Sequence, residues 1–206
     1  MIAPASLRAS AESFPVPYRR ATLADDHEMT ELVNFAGEGM PVYLWSGIAK
    51  DGESVWDIGR ARARRESGSF SYRNTVVRDE GGRASAAVIG YPLTAAADPS
   101  DYDDMPPMFV PLQQLEDLAV GTWYVNVLAA YPEHRGKGYG TALLDIAARF
   151  ARQSGCDGLS IIVSDANTGA RRLYERCGYV ERASRPMVKD GWENAGSHWV
   201  LLIRPL

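Results

Sequence analysis

Arg135-Gly136-Lys137-Gly138-Tyr139-Gly140-Thr141 is the stretch on which the reading of this chain turns. An apolar run over 121–130 precedes it and reads as a buried strand. After it, residues 139–153 place Leu143, Ile146, Ala147 and Phe150 at helical spacing. The order is therefore strand, glycine loop, amphipathic helix. Glycine lets the backbone take positive φ and approach a ligand closely. A helix start adds N–H groups outside the helical ladder and the positive end of the dipole. Arg135 and Lys137 supply two cations. Together these parts suit a pyrophosphate. A Walker A loop is excluded, because Gly140 is followed by Thr141-Ala142 with no lysine. A dinucleotide fingerprint fits poorly. Thr141 stands where its third glycine belongs, and Tyr131-Pro132-Glu133-His134 separate the loop from the strand. Asp165 ends the next strand as a ribose-binding acid would, so a dinucleotide-binding oxidoreductase module stays as the lesser reading.

Outward from the loop, Gly155 ends the helix and a strand covers 159–163. The run Asn167-Thr168-Gly169-Ala170-Arg171-Arg172-Leu173-Tyr174-Glu175-Arg176-Cys177-Gly178-Tyr179 reads as a helix capped by Asn167 or Thr168 and stopped by Gly178. Ala170, Leu173, Tyr174 and Cys177 share one face of it, so the bland role for Tyr174 is core packing. Strands follow over 179–188 and 198–203. On the N-terminal side, strands over 71–78 and 84–91 flank the turn residues Asp79-Glu80-Gly81-Gly82. A short strand at 18–22 leads to a helix capped by Asp25 or Asp26, with Met29, Leu32, Val33 and Ala36 at helical spacing. A second helix spans about 53–65. Residues 37–47, rich in glycine, proline and aromatics, read as a loop. Residues 94–118 contain Asp98, Asp101, Asp103, Asp104 and several prolines and read as a loop insertion. Residues 1–16 read as a flexible tail and 17–206 as a single domain. The sum is a mixed α/β (α+β) layer around one central sheet.

The net charge of −4 gives no global basic field, so nucleic acid is not an expected partner. No apolar run approaches the ~18 residues of a membrane span. Residues 1–16 lack the basic-then-apolar order of a signal peptide, and a cytoplasmic location is the expectation. The two cysteines, Cys156 and Cys177, are too few for a disulfide scaffold and read as buried thiols at helix ends. His27, His134 and His198 show no metal-ligand spacing, so no metal is expected.

The two long motifs together resemble those of the GCN5-related N-acetyltransferase (GNAT) superfamily. Arg135, Gly138 and Gly140 fill the places of its glycine-loop motif. Asn167, Leu173-Tyr174-Glu175 and Gly178-Tyr179 match its second motif. The resemblance is specific over about 123–179. It implies a central mixed, mostly antiparallel sheet of about six or seven strands, splayed at the cofactor site and flanked by about four helices. It implies acetyl-CoA as acetyl donor, with the backbone of Arg135, Gly136, Lys137, Gly138, Tyr139, Gly140 and Thr141 on the pyrophosphate. Strand residues near Leu128 and Ala130 would pair with the pantetheine arm, Asn167 would contact that arm, and Tyr174 would protonate the departing thiolate. The implied reaction is direct attack of a primary amine, through a tetrahedral intermediate. The acceptor would be a small molecule or a peptide, and a homodimer is compatible with the family.

The pattern departs from the family where an acidic residue often stands on the strands beside the loop. Residues 123–130 offer Tyr124 and Asn126, and 159–163 offer no acid. Glu133, His134, Asp165 and His198 are the candidate bases, with a water chain as the substitute. The missing acid keeps a non-catalytic acyl-CoA-binding domain as the alternative, and Tyr174 argues against it. Met40, Tyr43, Leu44 and Trp45 either line an acceptor pocket or pack the core. The acidic segment 98–104 either draws in a cationic amine or is simply solvated.

Overall fold

The computed structural model describes residues 14–206, so most of the tail expected over 1–16 lies outside the described residues. Seven strands form one sheet: β1 (Tyr18–Arg20), β2 (Thr75–Glu80), β3 (Arg83–Pro92), β4 (Thr122–Ala130), β5 (Gly158–Ser164), β6 (Val180–Pro186) and β7 (His198–Pro205). Their order is β1-β2-β3-β4-β5-β7-β6. β4 and β5 run parallel, while β1/β2, β2/β3, β5/β7 and β6/β7 are antiparallel. The mostly antiparallel seven-stranded sheet matches the expectation.

The helices are α1 (Asp26–Ala36), α2 (Met40–Ser46), α3 (Val55–Ala63), α4 (Val110–Asp117), α5 (Tyr139–Gln153) and α6 (Thr168–Arg176). That is six among the described residues, where about four were expected. The two extra helices are short and sit in stretches read as loops. α2 begins after Gly39, which takes φ 87° at the N-cap, and has proline in its first turn, where the missing N–H costs nothing. α4 likewise has proline in its first turn.

The chain divides into two compact units, one of residues 14–90 with Val127–Ile146, the other of Tyr91–Asn126 with Ala147–Leu206. In the first, Thr22 and Asp25 form a capping box on a 3-10 turn, Leu23–Asp25, that leads directly into α1. Met29, Leu32 and Val33 then enter a core with Trp45, Ala63, Val77, Ala87, Ile89 and Val127. Trp45 stacks on Phe70 at 6.4 Å and meets Trp56 edge-on at 6.5 Å. Trp45 is thus a core residue, while Met40, Tyr43 and Leu44 are half-buried. Arg19 on β1 ties the unit's edge together. It donates to both Asp25 oxygens at 2.8 Å and to Asp79 at 2.6 Å. Burial works to raise the Asp25 carboxyl, but Arg19 and Thr22 outweigh it and hold that carboxyl low.

In the second unit, β5 pairs with β7 along its whole length, and α4 packs on β5, β6 and β7. Trp123 stacks on Phe150 of α5 at 5.4 Å. The acidic segment is largely employed locally: Asp98 and Asp101 form a capping box on a 3-10 turn, Pro99–Tyr102, whereas Asp103 and Asp104 are exposed. Asp117 accepts from the Tyr102 hydroxyl, from Gln113 at 2.9 Å and from the Ala97 N–H at 3.0 Å. Cys156 and Cys177 form no disulfide and are half-buried rather than fully buried. No helix among the described residues is long and apolar enough to cross a membrane.

Gly59 sets how closely the first three helices approach. A Cβ there would lie 2.3 Å from Thr30 Cγ2 and 2.6 Å from Trp45 Cζ3. Gly59→Ala therefore overpacks the junction and is expected to cost about 1–3 kcal/mol. Urea unfolding should show a lower midpoint with an unchanged slope.

Candidate active site

The glycine loop is built by the end of β4 and the start of α5. After Ala130 a 3-10 turn, Pro132–His134, carries the chain to Arg135, and α5 begins at Tyr139. Gly136 and Gly138 take φ 73° and 82°, in the left-handed region that L side chains rarely adopt. No atom lies within 4 Å of where a Cβ would stand on either. The loop therefore presents bare backbone to open space. The first bond of α5 runs from the Ala142 N–H to the Gly138 carbonyl at 3.2 Å. The N–H groups of Tyr139 and Gly140 precede that ladder, at the positive end of a 15-residue helix.

Cations surround this backbone. Arg135 donates through Nε to the Ala130 carbonyl at 3.3 Å and lies over the Phe35 ring. Arg78 sits 3.8 Å from the centre of the Tyr139 ring, a close cation–π contact. Lys137 Nζ lies 3.5 Å from His134 Nδ1, and the His134 ring stacks on Tyr139 at 6.1 Å. Leu128 and Ala130, half-buried on β4, belong to the same unit as the loop. The first unit thus gathers Leu128, Ala130, Arg135, Gly136, Lys137, Gly138, Tyr139, Gly140 and Thr141.

Asn167 and Tyr174 lie in the other unit, on α6. Asn167 is the N-cap, accepting from the Ala170 N–H at 3.1 Å. Tyr174 is 4% exposed and its ring lies 5.8 Å from that of Tyr179. Tyr174 also acts electrostatically on Tyr124 of β4, a buried phenol pushed well up by burial and then by Glu116, Tyr91 and Tyr174. β4 and β5 pair only from Thr122↔Gly158 to Tyr124↔Ser160. The ladder between them stops where Tyr124 stands.

The candidate bases fare unequally. Glu133 is exposed. His134 lies 3.6 Å from Glu80. Asp165 accepts from the Ser197 N–H at 2.8 Å and the Ser197 hydroxyl at 2.7 Å. Burial works to raise its carboxyl, but these bonds and those from the His198 and Ala166 N–H groups hold it at about 2. A carboxylate held that low is a weak proton acceptor near neutrality. His198 is exposed and 3.6 Å from Asp165. Sequence reading passed over Glu116, at the end of α4, whose carboxyl is pushed up to about 7 by burial and by the neighbouring Asp117 charge. Its only signal in the sequence is a Glu-Asp pair in a stretch read as loop.

Among known proteins, the family model described as the acetyltransferase (GNAT) family matches residues 44–179. A streptothricin acetyltransferase from Streptomyces lavendulae is 34% identical over 74 residues, 36% of this chain and 39% of that relative. The match thus spans about two fifths of the relative's length. An N-acetyltransferase from Staphylococcus aureus Mu50 superposes with a TM-score of 0.64 at 17% identity, over 90% of this chain and 98% of its own. Ard1 from Thermoplasma volcanium superposes with a TM-score of 0.57 at 14% identity, over 92% and 96%.

Gly138→Asp forces a side chain onto a left-handed position and adds a negative charge where the backbone faces open space. It should weaken CoA binding at least about tenfold, measured by calorimetry, with melting temperature little changed. Undiminished affinity in the folded variant would make the loop a plain turn.

Proposed function

The chain belongs to the GNAT acetyltransferase family, and we propose that it moves an acetyl group from acetyl-CoA to a primary amine. The observation that carries this is the loop 135–141. Two left-handed glycines face open space at the head of α5, with Arg135, Lys137 and Arg78 around them. That arrangement suits a pyrophosphate. Its backbone N–H groups would hold the phosphates, Leu128 and Ala130 would pair with the pantetheine arm, and Asn167 would contact that arm. The relative named for streptothricin acetylation supports a small-molecule acceptor over a peptide.

In this reading acetyl-CoA supplies the activated acyl group, and the protein supplies positioning and proton control. A backbone N–H near Leu128 to Ala130 stabilises the oxyanion of the tetrahedral intermediate as charge develops. The phenol of Tyr174 protonates the departing thiolate. The rival reading, a non-catalytic acyl-CoA-binding domain, rests on the absence of an acid on β4 and β5, where Tyr124 and Asn126 stand instead.

Acetyl-CoA and CoA should raise the melting temperature, because a ligand that binds only the folded state stabilises it by about 2.7 kcal/mol at a hundredfold excess over Kd. NAD and ATP should do much less. Thiol release with a panel of amines then separates the two readings: stabilisation without release at any acceptor favours the binding domain. An equal or larger shift with NAD would reject the cofactor assignment.

Tyr174→Phe keeps the buried ring and removes one hydroxyl. If that hydroxyl serves the leaving group, kcat should fall by roughly ten- to a thousandfold with CoA affinity unchanged. The deficit should shrink at lower pH, where solvent protonates the thiolate more readily. A purely structural hydroxyl predicts a stability loss of about 1 kcal/mol and full turnover.

A further inference from the structure

The glycine loop is gripped at both of its ends. His134 stands just before Arg135 and Tyr139 just after Gly138, and their rings stack with centres 6.1 Å apart. Two residues of β2 hold this pair of rings. The Arg78 guanidinium lies over the Tyr139 ring, 3.8 Å from its centre. Glu80, two residues further along the strand, accepts from Arg78 and lies 3.6 Å from His134 Nδ1, with the same oxygen, Oε2, at both contacts. Glu80, Arg78, Tyr139 and His134 thus form a closed circuit, and residues 135–138 are strung between two of its members. All of them belong to one compact unit.

The sheet aims Arg78 at this ring. The register between β2 and β3 shifts after Arg78↔Ala86, so that Asp79 faces Ala84 and Ser85 is left over. The Ser85 hydroxyl turns back on Arg78, donating to its carbonyl and accepting from its guanidinium, both at 3.3 Å. The Arg78 side chain is only 16% exposed, and a cation meets an aromatic face more strongly where water is excluded.

We infer that Arg78 and Glu80 are positioning residues for the cofactor, holding the loop 135–138 in its ligand-binding shape through the rings of Tyr139 and His134. The inference rests on the acetyltransferase reading above and goes beyond it, because Arg78 here braces Tyr139 instead of meeting a phosphate with its charge. The need for a brace is physical. Glycine has the widest backbone freedom of any residue, so a loop with two of them loses much entropy when it is ordered. No atom lies within 4 Å of where a Cβ of Gly136 or Gly138 would stand. The order is therefore imposed from the loop's two ends. A loop ordered in the free protein spares the ligand that cost on binding.

The test reads CoA affinity by calorimetry and, without ligand, the fast backbone motion of Gly136 and Gly138 by nitrogen NMR relaxation. Tyr139→Leu removes the ring and leaves every charge in place. Arg78→Met removes the cation from that ring. Each should weaken CoA binding by about 3–30-fold and loosen both glycine amides, while the amide of Gly178 at the end of α6 stays as in the wild type. Arg78→Met should cost nothing further in the Tyr139→Leu background, since both changes break the same brace. Tyr139→Phe keeps the ring and should keep affinity and order. Glu80→Gln should show the same pattern at smaller size; its side chain is 47% exposed, so it serves if the Arg78 variant folds poorly. Glycine amides and CoA affinity unmoved in Tyr139→Leu would overturn the brace and leave the acetyltransferase reading standing. An Arg78→Met loss of equal size in both backgrounds would assign the guanidinium to the phosphates directly and overturn it too. No CoA binding by the wild type would overturn the cofactor reading and this inference with it.

Discussion

Three residue pairs make up the parallel ladder between β4 and β5, from Thr122↔Gly158 to Tyr124↔Ser160, and its early end sets where the two strands part. The junction is tightly specified. Thr122 and Ser160 share a buried hydroxyl contact at 2.6 Å, and Gly158 has no room for a side chain, since a Cβ would lie 2.6 Å from the Arg204 carbonyl. Beyond Tyr124 the facing backbone groups of β4 need other partners, because unpaired buried peptide groups are costly. An extended ligand chain with amides of its own is a natural complement to such an edge.

The same strand then delivers the chain to the glycine loop. Gly136 and Gly138, both at positive φ, leave the loop backbone bare of side chains on a side that faces open space. α5 is held from behind by Leu143 and Leu144, neither exposed at all, and by Phe150 on Trp123. The helix that follows the loop is therefore fixed by apolar packing rather than by charge. The cations around it have work of their own within the fold, Arg78 on Tyr139 and Arg135 on the Ala130 carbonyl. That keeps them oriented without neutralising the loop.

Most of this architecture was legible in the sequence because it is written in periodicity and punctuation. α5 runs over 139–153 as its apolar spacing predicts, Gly155 closes it at φ 69°, and Asn167 caps α6. Two short helices were missed for one reason. In 40–46 and 110–117 proline and turn formers dominate the local signal, and seven or eight residues are too few for a periodic pattern to overrule them. Missing α4 hid Glu116. A carboxylate read as part of a solvated loop offers no chemical clue, and only its partial burial on a packed helix changes that. Asp165 erred in the opposite direction. It stands where a functional acid would, yet the Ser197 N–H and hydroxyl claim it, and such a long-range bond leaves no trace in local sequence.

The fastening of residues 94–118 has a consequence for how this protein changes over generations. Asp98 and Asp101 cap their own turn, and Asp117 binds Tyr102, so the polar outer part of the segment carries its own clasp while α4 packs on the strands. Its outward residues, Asp103 and Asp104 among them, can be rewritten without disturbing the hydrogen bonds of the sheet. Mutational drift there alters what approaches the helix while the strands beneath keep their register. Surface chemistry can thus change there, one substitution at a time, over an inherited scaffold.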